Sequence, residues 1–477
     1  MPGMCSHESS DKRTFVIIGA GAAGAAAAEA LRQAKFTGRI ILLSREKHLP
    51  YDRLQCTKDI KSTMESIVLR SKDFYRRIGV EVRLGVSGSE IDIQRKELKL
   101  SDGSILSFDK ALIATGSDAR QVVEPSVIDN AFVLRTFDDL DRLRAKMRGA
   151  RNFVIVGSSF IGLEACAMIK KHFDDAKDED QAAQKIQITV IGMEKFPLER
   201  VLGAEIGQAL QALHQENGVR FVMETVLQPS DYVTQSGSIT AIKTKNERLP
   251  ADIVIVGAGA IPSLQKEEGA AGFWTTTVPP VAPSGTLRVI GRPLLGNNSI
   301  SVDQHMHVAN DVYAAGDIAE MPFKGERIRV EHWGMAEQQG RVAAFHMAGS
   351  SDHRATLDAV PFFWTKQYGV SVRYVGYCSK PDKILVGPPL RLWLLCSYST
   401  PVLFEQPQVI SSIFSQVDGD VKSRNKCSVF YTQGNSVRAV ATIGCGASKA
   451  FNFGTHAKFL YTVPQILPLL LLQSFYA

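Results

Sequence analysis

Gly19-x-Gly21-x-x-Gly24, with Glu46 further on, are the residues whose types and spacing first point to chemistry. A glycine in the first place permits a tight turn, one in the second lets backbone come close to a pyrophosphate, and one in the third lets helix and strand pack closely. The amide groups that open a helix after such a turn attract negative charge. An acid such as Glu46 is placed to bind ribose hydroxyls. The pattern recurs in altered form at Gly157-x-Ser159-x-x-Gly162, followed by Glu194. There Ser159 replaces the middle glycine, which crowds the approach of a phosphate slightly. Three other charged groups qualify: Arg53 and Lys58 in the polar loop HLPYDRLQCTK, and Asp317 at the end of VYAAGD.

These residues need elements to hold them. The run TFVII reads as a strand, the alanine-rich segment to about Lys35 as a helix, and residues 40–43 as a second strand, which together make a βαβ unit. A second unit follows, with a strand at 153–156, a helix over 163–171 and a strand at 188–191. Between them lie short strands at 80–84, 91–93, 97–100 and 105–108, running into KALIATG, and the run ADIVIVGAGAIP repeats that strand-to-glycine ending. Two fingerprints, each with its own strand and helix, imply two dinucleotides, a flavin and a nicotinamide. Gly192 stands where an acid would select NADH over NADPH; Glu194 can substitute, with Lys195 beside it, so NADH is favoured over NADPH.

With 477 residues, 45% hydrophobic and 22% charged, the chain is long enough for several globular domains. A formal charge of +6 is small for this length and does not call for nucleic acid. The seven cysteines, Cys5, Cys56, Cys166, Cys378, Cys396, Cys427 and Cys445, show no paired spacing. That pattern suits a reducing compartment and mostly inert thiols, with no metal site. The first residues resemble neither a signal nor a transit sequence, and the apolar run 466–472 is far short of a membrane span. A cytoplasmic location is expected, with mitochondrial as the alternative.

With GAGAAG, LPYDR and Lys58, IATG, GSSFIGLE, GAGAIP and YAAGD in this order, the chain resembles the two-dinucleotide pyridine nucleotide:flavin oxidoreductases. EHWGMAEQQG and PFFW direct the resemblance to the apoptosis-inducing-factor-like and ferredoxin-reductase-like branch. The resemblance implies an α/β fold of two dinucleotide-binding, Rossmann-like, three-layer domains plus a C-terminal α+β domain. Its expected boundaries are 1–127 and 257–355 for the two halves of the FAD domain, 128–256 for the NAD(P) domain and 356–477 for the C-terminal domain. It also implies non-covalent FAD held by Gly19, Gly21, Gly24, Glu46, Arg53, Lys58 and Asp317. The His332 to Trp333 backbone would lie near the ring and Trp364 would close over it. Lys58 and Glu164 would pair beside the flavin. The nicotinamide nucleotide would sit at Gly157, Ser159, Gly162 and Glu194.

The sequence also departs from the family. Leu54-Gln-Cys-Thr precedes Lys58 where the loop usually reads otherwise, and Cys5-x-His7 is half a Rieske ligand set, so an iron–sulfur partner is expected to be a separate protein. The run 272–298 is long and Pro- and Gly-rich. Residues 387–416 interrupt a hairpin that the family makes directly, and read as retained intron sequence.

The expected activity is that of an FAD-dependent NAD(P)H oxidoreductase passing electrons to a ferredoxin-type protein, quinone or oxygen. Two alternatives stand beside it: a slowly turning redox sensor like apoptosis-inducing factor, and a single-cysteine oxidase or peroxidase using Cys56. Disulfide reduction by a dithiol is excluded, since Cys56 has no neighbouring cysteine in sequence. Homodimerisation is left open.

Overall fold

The run TFVII folds as the strand Thr14–Ile18, and every other strand of its sheet is ordered around it. In this computed structural model residues 11–121, 128–175, 185–265, 286–291, 295, 297–387, 427–434 and 436–444 are described. The chain divides into two compact units. The first comprises Met1–Glu124, Arg135–Asp141 and Gly259–Ala359, and the second Pro125–Leu134, Arg142–Ala258 and Val360–Ala477.

In the first unit the six-stranded sheet runs His307–Ala309, Val312–Ala314, Lys110–Ile113, Thr14–Ile18, Arg39–Ser44, Val80–Leu84. All pairs are parallel except the first, and Phe15 lies between Ile40 and Lys110. Phe15, Val16 and Ile17 are wholly buried, as expected of a parallel strand covered on both faces. The helix Ala22–Gln33 is built largely of alanine, which leaves room for a second helix, Trp333–Met347, to lie against it. They approach closely at Gly340, where a Cβ would stand 2.1 Å from the Ala23 carbonyl oxygen. Arg32 ends the first helix by donating to the carbonyls of Phe36, Gly38, Ile78 and Gly79, satisfying acceptors that the turn would otherwise leave buried.

The second unit repeats the design. Its five-stranded parallel sheet runs Val219–Val222, Gln187–Ile191, Asn152–Val156, Ile253–Val256, Ala131–Phe132, with the helix Phe160–Asp174 after the central strand. This helix starts earlier than the sequence expectation of 163–171 because Ser159 caps it, and it runs on to Asp174. The same unit holds an antiparallel sheet in the order Phe362–Gln367, Val370–Gly376, Ser436–Ile443, Cys427–Gln433, Lys383–Gly387. Leu202, Ile206 and Leu210 of the helix Glu199–Glu216 pack with Val372, Val429, Tyr431 and Ala441 of this sheet. That helix is broken at Gly203, whose φ of +79° leaves the helical region, and the Tyr431 hydroxyl donates to the Leu202 carbonyl at 2.6 Å. A buried tyrosine thus takes up an acceptor at the break.

Cys5, His7, Cys396, Cys445, the apolar run 466–472 and most of the runs 173–185, 272–298 and 387–416 lie outside the described residues. No helix among the described residues is long and apolar enough to cross a membrane. Strands Lys383–Gly387 and Cys427–Gln433 nevertheless pair directly, with Val386 opposite Val429 and Gly387 opposite Ser428. Their register is fixed on both sides of residues 388–426. A chain deleted of residues 388–416 should therefore retain the sheet. Far-ultraviolet circular dichroism and a cooperative thermal transition at an unchanged midpoint are the expected result, and loss of the transition would show that the deleted run is needed for folding.

Candidate functional site

In the first unit the glycines of GAGAAG do three different jobs. Gly19 turns the chain at a φ of +112°, and a Cβ there would stand 2.2 Å from the Ala114 carbonyl oxygen, so only glycine lets the turn press against the returning strand. Gly24 lies against Gly19, where a Cβ would come within 1.9 Å of the Gly19 oxygen. Gly21 is the N-cap, has no side chain to cap the helix, and faces space with no atom within 4 Å of where its Cβ would be. The amides of the first helical turn therefore open onto an unfilled space, and Thr115 Oγ1 nearby is buried without a hydrogen-bond partner. This is a cradle that suits a phosphate.

Two carboxylates flank it. Glu46, just after the strand Arg39–Ser44, accepts from Arg53 Nη2 at 2.5 Å through Oε1 and from the Tyr51 hydroxyl at 2.5 Å through Oε2. Burial opposes ionisation of Glu46, but the Arg53 guanidinium and these two hydrogen bonds hold its carboxyl below the usual range. Tyr51 in turn accepts from the Phe137 amide, and Arg53 also donates to the Arg135 carbonyl. Asp317 receives two donors at Oδ2, Ser117 Oγ at 2.6 Å and Arg135 Nη2 at 3.0 Å, while its own carbonyl accepts from Arg329. Arg135 thereby links the Glu46 and Asp317 networks. Behind them Arg45 and Ser263 both hold Asp118, each at 2.6 Å.

Lys58 ends the short helix Gln55–Lys58 and is half-buried. Cys56 on the same turn is buried, and burial pushes its thiol up to about 12 despite the neighbouring Arg53. Trp333 opens the helix Trp333–Met347, with Gln339 on the same helix accepting from the Gly316 amide at 2.7 Å.

In the second unit Gly157 repeats Gly19. Its φ is +107° and a Cβ would meet the Gly257 carbonyl oxygen at 2.4 Å, while Gly162 lies against Gly157 as Gly24 does against Gly19. The difference is Ser159, whose Oγ accepts from the Gly162 amide at 3.3 Å. One helix-end donor that the first unit leaves open is filled here by the protein itself. Glu194 is ion-paired with Arg200, and its carbonyl accepts from the Glu224 amide at 3.0 Å. Gly192 could hold no side chain without displacing Met223 and Ser158.

Glu164, on the helix that Ser159 caps, is buried and accepts from Thr365 Oγ1 at 2.7 Å. Trp364, beside Thr365 on the strand Phe362–Gln367, is half-buried. The structure thus gathers Gly19, Gly21, Gly24, Glu46, Arg53 and Asp317 in one unit and Gly157, Ser159, Gly162 and Glu194 in the other; Lys58 and Trp333 belong to the first, Glu164 and Trp364 to the second. Sequence reasoning missed Arg135, Ser117, Tyr51 and Thr365. Tyr51 and Ser117 each lie beside a residue or tripeptide already singled out, whereas Arg135 carries no local signal.

A family model described as pyridine nucleotide-disulphide oxidoreductase matches residues 13–277. The chain is 32% identical over 385 residues to apoptosis-inducing factor 3 of Mus musculus, a match covering 79% of this chain and 57% of that protein. It therefore spans little more than half the length of that relative. It is 30% identical over 370 residues to the 3-phenylpropionate/cinnamic acid dioxygenase ferredoxin–NAD(+) reductase component of Photorhabdus laumondii, covering 76% of this chain and 84% of the other. Among solved structures it is similar to the covalent putidaredoxin reductase–putidaredoxin complex, with a TM-score of 0.71, 25% identity and coverage of 90% and 89%.

His214, wholly buried in the second unit, bears on stability. Burial pushes its imidazole down to about 4, and the hydrogen bond it donates to Gln367 only partly opposes this. The unfolded chain takes up a proton below an ordinary histidine value of about 6.5, the folded one only near 4, so stability is lost as pH falls through that window. By pH 4 the loss from this group approaches about 3 kcal/mol. Urea unfolding at pH 7 and pH 4.5 should show a smaller acid-side loss in His214→Phe than in the native chain; an equal loss would contradict the assignment.

Proposed function

This chain belongs to the pyridine nucleotide-disulphide oxidoreductase family, and from that premise we propose that it is an FAD-dependent oxidoreductase taking hydride from NADH and passing electrons to a separate ferredoxin-type protein. The observation that carries the reading is the doubled glycine turn, once in each unit, each opening a helix and each followed by a half-buried acid. Flavin, when bound, takes electrons in pairs and gives them up singly, which suits a one-electron acceptor.

The first unit supplies the flavin-binding groups. The open helix end at Gly21, which the turns at Gly19 and Gly24 make possible, would take the pyrophosphate, and Glu46, kept ionised by Arg53, would accept from ribose hydroxyls. Asp317, with Arg135 and Ser117 gripping one oxygen, accepts from the sugar-alcohol chain, and Trp333 presents backbone to the ring. Gly157, Ser159 and Gly162 bind the nicotinamide nucleotide. Glu194 favours NADH by binding an adenosine ribose hydroxyl, and its partner Arg200 keeps that preference modest by offsetting the charge that would repel a further phosphate. Lys58, Glu164 and Trp364 are assigned to the hydride step.

The choice of acceptor rests on the relatives. A ferredoxin–NAD(+) reductase component of similar length aligns over most of this chain, and a similar solved structure is named for a reductase joined to putidaredoxin. The similarity to apoptosis-inducing factor 3 favours a second reading, a redox sensor that holds its reduced state without turning over. The single-cysteine reading loses ground, because a buried thiol held at about 12 supplies no thiolate at neutral pH. Three described cysteines, Cys56, Cys166 and Cys378, are unbridged, which suits the reducing cytoplasm, with a mitochondrial matrix as the other compartment of that kind.

Purified protein should show the absorbance bands of bound flavin, and a colourless protein that takes up no added FAD would overturn the account. Glu46→Ala should lose that flavin on gel filtration. In stopped flow, NADH should bleach the bands at lower concentration than NADPH, and reoxidation by a ferredoxin-type protein should be fast. A stable reduced protein that no acceptor reoxidises would establish the sensor instead. Glu164→Gln should slow bleaching by about 10²-fold, and Cys56→Ser should leave oxygen consumption unchanged.

A further inference from the structure

Behind Glu164 runs a chain of buried polar side chains. Thr365 Oγ1 lies 2.7 Å from Glu164 Oε1, Gln367 Nε2 lies 3.2 Å from Thr365 Oγ1, and His214 Nε2 lies 2.7 Å from Gln367 Oε1. All four residues are at most 7% exposed. They come from three elements of the second unit: Glu164 from the helix Phe160–Asp174, Thr365 and Gln367 from the strand Phe362–Gln367, and His214 from the helix Glu199–Glu216.

Proton counting gives the chain one direction. A carboxylate only accepts, so the single hydroxyl proton of Thr365 goes to Glu164. Thr365 must then accept from the Gln367 amide, which turns Gln367 Oε1 toward His214. An amide oxygen also only accepts, so His214 Nε2 carries the hydrogen. His214 Nδ1 has no hydrogen-bond partner, and Phe221 and Tyr368 pack edge-on against the ring. Every donor points toward Glu164. A one-way chain of this kind cannot pass a proton along without reversing every bond, but it can fix an orientation. The alternation of a strand puts Thr365 and Gln367 on one face, while Lys366 between them is exposed.

Nothing in packing alone asks for this arrangement. Apolar side chains of the same size would fill the space without the cost of burying four polar groups. We propose that Thr365, Gln367 and His214 are positioning residues that hold the Glu164 carboxylate in a single orientation for the hydride step. This rests on the assignment of Glu164 to that step.

The test combines two backgrounds and one readout independent of turnover. Thr365→Val removes the donated hydrogen at nearly constant shape, and Thr365→Ser keeps it. In flavin-loaded protein, Thr365→Val should slow bleaching by NADH about tenfold, with Thr365→Ser close to native. In the Glu164→Gln background the same valine substitution should change the rate less than about twofold, because its effect passes through the carboxylate. The infrared carboxylate band that Glu164→Gln removes should shift in Thr365→Val and return in Thr365→Ser. If Thr365→Val does not accumulate as folded holoprotein, Gln367→Met is held to the same rate and band criteria. A slow Glu164→Gln beside a native-rate Thr365→Val, equal slowing in both backgrounds, or an unmoved band would each overturn the positioning chain while leaving the role of Glu164 intact. A native-rate Glu164→Gln would instead overturn the role of Glu164, and the chain with it.

Discussion

Both units depend on one steric constraint, the passage of a turning backbone against a neighbouring strand at a distance no side chain could occupy. At Gly19 the obstacle is the Ala114 carbonyl, at Gly157 it is the Gly257 carbonyl, and in each case the missing Cβ would fall within 2.4 Å of oxygen. The helix that follows can start directly off the central strand only because this approach is allowed. Its first amides consequently arrive at the edge of the sheet, pointing outward. In the first unit, where no side chain caps the helix, that placement suits an anion.

The two copies then diverge through their polar neighbours. In the first, the helix end is left open at Gly21, and the charged groups around it, Glu46, Arg53, Asp317 and Arg135, are bound to one another. A buried ion pair is costly unless its remaining hydrogen-bonding capacity is used, and here Tyr51 and the Arg135 carbonyl use it. In the second copy Ser159 satisfies one amide, and the acid Glu194 is partnered by the exposed Arg200. A permanently seated ligand suits the first environment and an exchanging one the second.

What the sequence made legible follows the range of the interaction. The glycine turns, the strand Thr14–Ile18 with its parallel partners and the acid after each second strand are all set within a few dozen residues, and period and spacing reveal them. The helix Phe160–Asp174 starts three residues before the expected 163 because capping by Ser159 overrides the glycine-based boundary. Arg135 was invisible because it meets Asp317, a residue far along the chain, and sits in a segment with no periodicity of its own. The same holds for Thr365, whose partner Glu164 lies on a helix some two hundred residues earlier in the chain. Pairings of that kind are made by the fold and leave no mark on either local stretch.

The interleaving of segments has a consequence for the order in which the protein can form during synthesis. The sheet around Thr14–Ile18 lacks two of its strands until residues 307–314 have emerged, whereas the parallel sheet of the second unit has all five by Val256. That parallel sheet can pair while the sheet of the first unit still waits, although the second unit closes only with the strands of residues 362–443. The strand that waits is Lys110–Ile113, whose outer partner Val312–Ala314 is made only after the parallel sheet of the second unit. Through much of translation that side of the sheet is an open edge, which makes it the point where a ribosome-bound chain has most need of a chaperone.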